Sequence, residues 1–127
     1  MEDKTQEEST MENEPQELKE RTKLLARRII RLYVSLPKDT VSQVLGKQML
    51  RAGTSVGANY REANRARSKP EFISKKGDSL KELEETAYWL ELLTDERIVR
   101  KEKMASLLDE TNQLNAIFTT IIKKARG

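Results

Sequence analysis

Leu18, Thr22, Leu25, Ile29, Leu32 and Leu36 recur at alternating spacings of four and three, which is one seam of a helix with a heptad repeat. The pattern predicts helix one from about Pro15, a favourable first-turn residue, to Leu36, where Pro37 stops it. Thr40-Val41-Ser42-Gln43 has the form of a capping box, whose hydroxyl and amide side chains can meet orphan backbone N–H groups. Helix two then runs to about Arg67, with Leu45, Met49, Ala52, Val56, Asn59, Ala63 and Ala66 on its seam. Ser68-Lys69-Pro70-Glu71 is a second capping box, with Pro inside the first turn where its missing N–H does no harm. Helix three reaches about Glu96, turning Ile73, Leu80, Leu83, Ala87 and Leu90 inward. Helix four, about Arg100 to Ala125, carries Met104, Thr111, Leu114, Phe118 and Ile121, and its start offers no good N-cap. Short connections join antiparallel neighbours, and no period-2 alternation competes. The predicted fold is all-α: an antiparallel up-down-up-down four-helix bundle over residues 15–127.

Composition agrees and removes several chemistries. The 127 residues are 36% hydrophobic and 35% charged, a mix that suits long amphipathic helices. Without Cys or His the chain has no thiol nucleophile, no Ser–His pair, no zinc finger and no Glu-x-x-His di-iron site. No cofactor or metal is expected. No apolar run approaches a membrane span and no signal peptide opens the sequence, so a cytoplasmic protein without membrane contact is expected. The net charge of +3 conceals a division, because residues 1–20 sum to −6 and residues 21–127 to +9. Residues 1–14 have too little apolar surface to offset their ordering entropy and read as a disordered acidic arm.

Two features exceed what an isolated bundle needs. Tyr88, Trp89, Leu90, Leu92 and Leu93 cover nearly the whole circumference of helix three. A helix apolar all round has more than one face to bury, so Tyr88, Trp89, Leu92 and Leu93 are candidates for an oligomer interface; a thick core end is the plainer reading. Helix two carries Gly46, Gly53 and Gly57 among alanines, and residues that small let another helix approach closely.

The stretch Arg51-Ala52-Gly53-Thr54-Ser55-Val56-Gly57-Ala58-Asn59-Tyr60-Arg61-Glu62-Ala63, followed by Lys76-Gly77-Asp78-Ser79-Leu80-Lys81-Glu82-Leu83-Glu84, resembles a known family. It is similar to the four-helix-bundle proteins encoded in intervening sequences of bacterial 23S ribosomal RNA genes. The family pattern is an Arg, then Ser-hydrophobic-x-x-Asn on helix two, and Gly-Ser-Leu-x-Glu-Leu on helix three. Arg51, Ser55, Val56, Asn59, Phe72, Ser79, Leu80, Glu82 and Leu83 match, while Asp78 intervenes between Gly77 and Ser79. The resemblance covers about residues 18–125 and implies a homopentamer around a central pore. It extends to the accessory proteins of diversity-generating retroelements, basic pentameric barrels that bind a reverse transcriptase and nucleic acid. It implies no enzyme activity.

Independently of the family, Arg51, Ser55, Asn59 and Glu62 share one stripe of helix two. Folding back about Ser68 brings Asn59 level with Ser79, and Ser55 level with Glu82. A polar network is expected there, Asn59 to Ser79, and Arg51 and Ser55 to Glu82 or Glu85. A catalytic or ligand site is the alternative. At the end of the bundle shared by the second interhelix turn, Arg61, Arg65, Arg67, Lys69, Lys75 and Lys76 meet Lys123, Lys124 and Arg126. Repeated around a ring, these cations form a collar able to hold RNA or DNA phosphates, largely by counterion release. The acidic arm emerges at the same end and is placed to mask it. The competing reading is a structural or protein-interaction oligomer whose cations merely favour helix termini and solvent. A Mg²⁺-dependent nucleotide hydrolase finds only half its ligands, because no Glu-x-x-Asp follows Glu82-Leu83-Glu84-Glu85.

Overall fold

A computed structural model describes residues 4–127, with side chains from Glu14 onward. The molecule is a four-helix bundle: α1 (Lys4–Ser35), α2 (Thr40–Asn64), α3 (Lys69–Asp95) and α4 (Lys101–Arg126). The expected acidic arm, residues 1–14, lies outside the described side chains except for Glu14, and Pro15 lies inside α1 rather than in its first turn. Helix α2 starts one residue earlier than the capping-box pattern implies. Its N-cap is Asp39, whose carboxylate accepts from the Ser42 amide at 3.0 Å and the Ser42 hydroxyl at 2.8 Å. Those two bonds hold the Asp39 carboxyl below its usual range. Helix α3 begins as expected, with the Ser68 hydroxyl accepting from Glu71 N–H at 3.2 Å. It ends in a Schellman motif, Ile98 N–H to Leu93 O at 3.0 Å and Arg97 N–H to Thr94 O at 2.9 Å. Arg97 fills the left-handed position at φ 60°, which glycine occupies most easily.

Neighbours in sequence pack side by side, whereas the backbones of α1 and α4 come close at few points. Leu25, Ile29, Met49, Val56, Leu83, Leu90, Leu114 and Phe118 are wholly buried at the centre. Each such side chain contributes about 1.5–3 kcal/mol by leaving water. Threonines on the seams are buried at little cost because each bonds its own helix: Thr22 to Lys19 O, Thr86 to Glu82 O and Thr111 to Leu107 O.

The small residues of α2 receive α1. A Cβ on Gly46 would stand 2.6 Å from Leu36, and one on Gly53 would stand 2.7 Å from Ile29. Gly57 likewise sits against Thr22. The close approach expected of this stripe is therefore made inside one chain. Gly77, by contrast, faces open space.

Candidate nucleic-acid interface

The part of α1 around Pro15, the α2–α3 turn and the end of α4 share one end of the bundle. Tyr60 ties them together: its hydroxyl donates to Pro15 O at 3.1 Å and its ring lies 5.5 Å from that of Phe118. Around this end Arg61, Arg65, Arg67, Lys69, Lys123, Lys124 and Arg126 are exposed. Among the described residues none of these seven side chains is in an ion pair. Glu71, the nearest acid in the turn, bonds the backbone amide of Arg67. Lys123, Lys124 and Arg126 fall in the last turn of α4, where the helix dipole favours cations. Glu14 and Lys124 border an open depression of about 590 Å³ with Phe72, Ile117 and Ile121.

Two of the expected collar residues stand differently. Lys75 is half-buried and pairs with Glu62 at 2.8 Å, which holds its ammonium above the usual range. Lys76 is only 3% exposed. Its Nζ lies 3.7 Å from the centre of the Tyr60 ring, 5.0 Å from Phe72 and 5.7 Å from Phe118, and donates to Asn64 Oδ1 at 3.3 Å. Burial pushes Lys76 down to about 8, opposed by the Glu14 charge; the three ring faces also favour the ammonium form. Lys76 is thus a structural cation under the collar and cannot meet a phosphate at the surface. Its position follows α3's inward seam, with Ser79 and Leu83 at the next two turns.

The expected polar network forms in part. Arg51 spans Glu82, at 3.2 Å, and Glu85. The helix register is as expected, but Ser79 donates to Val56 O at 3.0 Å rather than meeting Asn59. Ser79 is fully buried on the inner face, while Asn59 lies half-buried. Ser55 turns back to Arg51 O at 2.6 Å and contributes nothing across the helices. Glu82 Oε2 is buried without a partner, as is Trp89 Nε1.

The expected interface residues also divide. Leu93 is wholly buried in the chain's own core, because the end of α3 packs against the α3–α4 turn and Val99. Tyr88 remains 54% exposed, set edge-on to a partly buried Trp89, with Leu92 half-buried. Val41 and Val44, from the first turns of antiparallel α2, are exposed at the same end of the bundle.

One cluster was missed from the sequence. A groove of about 280 Å³ runs between α1 and α4, walled by Arg28, Arg31 and Lys103 and floored by Leu32, Met104 and Leu107. Arg28 and Arg31 lie one turn apart on α1, but only the α1–α4 register brings Lys103 to them. That register is set lower down by Arg21, which donates to Glu110 at 2.6 Å and to Gln113 at 3.3 Å.

No helix among the described residues is long and apolar enough to cross a membrane. No match is found among curated proteins. A solved structure of a protein of unknown function from the S23 ribosomal protein family of Bacteroides thetaiotaomicron VPI-5482 superposes with a TM-score of 0.80. It is 39% identical and the match covers 86% of this chain and 97% of that one. Residues 14–120 match the family model described as 23S rRNA-intervening sequence protein. With residues 14–120 matched by the family model and 86% of the chain covered by that structure at 39% identity, the chain belongs to the 23S rRNA-intervening sequence protein family.

Proposed function

We propose that the protein is a non-catalytic homo-oligomer, a pentamer, that binds nucleic acid through its cationic end, RNA before DNA. Seven exposed cations without carboxylate partners among the described residues carry this reading. Arginines and lysines already neutralised by acids would release few counterions on meeting a phosphate backbone, whereas free ones release them in full. No aromatic ring is exposed among the seven, so binding follows backbone and shape rather than base identity. The apolar side chains exposed on α1, α2 and α3, namely Leu24, Ile30, Val34, Val41, Val44 and Tyr88, support assembly from identical bundles. The family's description as 23S rRNA-intervening sequence protein supports a reading that involves RNA, and the retroelement resemblance adds a reverse transcriptase as the protein partner.

The test is fluorescence anisotropy with a labelled single-stranded RNA at low salt, alongside light scattering. Arg65→Gln, Lys123→Gln and Lys124→Gln together should weaken binding at least tenfold. Undiminished affinity in that variant would remove the collar from the account. The scattering mass should be about five times the 14.7 kDa chain, and a monomer would end the oligomer reading.

A further inference from the structure

We propose that the α1–α4 groove is a second phosphate site, which carries the sugar–phosphate backbone of a bound RNA strand along the flank of the bundle. The inference rests on the nucleic-acid reading above and gives it a second, separate surface. Arg28, Arg31 and Lys103 supply three cations and the groove has no acidic lining residue. Arg28 is half-buried, yet its guanidinium donates to the hydroxyl of Ser106 at 3.0 Å instead of to a carboxylate. Among the described residues, ion pairing in this seam is confined to Arg21 and Glu110, more than a helical turn away along α4. An arginine whose head reaches a hydroxyl rather than a carboxylate keeps an uncompensated charge, which a phosphate would complete through charge-assisted hydrogen bonds.

Lys103 stands in the first turn of α4, after the N-cap Arg100 and the acidic residue Glu102, and its own amide is bonded to Arg100 O at 3.1 Å. The three side chains therefore carry the site. The lining explains the class of ligand. Leu32, Met104 and Leu107 make an aliphatic floor with no aromatic ring on which a base could stack. A free nucleotide would leave its base without a partner, whereas a strand needs only its phosphates and ribose edges held.

The experiment compares Arg28→Gln/Arg31→Gln/Lys103→Gln with the collar variant and with wild type, titrating labelled single-stranded RNA at several salt concentrations. The groove variant should bind more weakly, with a log–log salt slope shallower by about two, at roughly 0.7 for each phosphate lost on a single strand. Arg28→Lys/Arg31→Lys/Lys103→Arg should restore both, and matching thermal midpoints would show that folding is intact. Wild type that fails to bind RNA overturns the functional reading itself. Wild type that binds, with a groove variant of unchanged affinity and slope, overturns only the groove. A peptide of residues 1–14 that binds wild type but not the groove variant, with RNA affinity unaffected, would assign the groove to the acidic segment and likewise overturn the proposal.

Discussion

Along α1, the flank against α2 seats Leu36, Ile29 and Thr22 over Gly46, Gly53 and Gly57, so the two backbones come close and water is excluded. The flank toward α4 carries Arg21, Arg28 and Arg31, comes close to its neighbour's backbone at few points, and leaves a groove. One helix therefore has a closed seam and an open one. In the closed seam, side chains can only get smaller or clash, so it belongs to stability. In the open seam, long cationic side chains hold their heads at the surface over buried stems, so it is free to bind.

The sharpest contrast comes from truncating each seam. Ile29→Ala removes a fully buried side chain and should cost about 2–5 kcal/mol in denaturant unfolding. Leu32→Ala, on the half-buried groove floor, should cost clearly less; equal losses would erase the distinction between the seams. Gly53→Ala comes next, destabilising by roughly 1–3 kcal/mol through overpacking against Ile29 despite alanine's better helix propensity. Its control is Gly77→Ala, where open space should let the propensity gain of up to about 1 kcal/mol appear as a higher Tm.

Lys76 gives a pH test. Its folded-state value of about 8 lies below the usual 10.5, so the unfolded chain binds more protons between the two. This residue's contribution therefore rises as pH climbs from about 8 to 10.5. The stability of Lys76→Met relative to wild type should fall over that window, and chemical denaturation at pH 7 and pH 10 measures it. A constant difference would mean that the ammonium is not desolvated. The smallest expected effect is at Arg97, where Arg97→Gly should relieve left-handed backbone and raise stability by about 1 kcal/mol.

What could be read in advance follows from how local each signal is. On α3 only Leu83 and Leu90 of the expected inward set are fully buried, and Lys76, Ser79, Thr86 and Leu93 complete that face. The seam of α1, by contrast, was legible because burial imposes a period that needs no knowledge of the partner. The Ser68 cap was legible for the same reason, while Asp39 and Thr40 are both good caps and only the observed bonds choose between them. The α2–α3 register was legible from a single turn, and it correctly placed Arg51 near Glu82 and Glu85. Which polar atom Ser79 would find was not, since that depends on a rotation of a few tens of degrees. Lys76 reads as one more surface cation until Tyr60, Phe72 and Phe118 close over it from three helices. The groove depends on α1 and α4, the ends of the folded chain, and no short-range pattern specifies their register.

Salt dependence of RNA binding by the unaltered protein bears most directly on the idea that its unpaired cations exist to meet phosphates. If six or more of them do, affinity for a single strand should fall roughly three-hundredfold or more between 50 and 200 mM salt, in a straight log–log line. Affinity that stays level across that range, or no binding even at the lowest salt, would contradict the account.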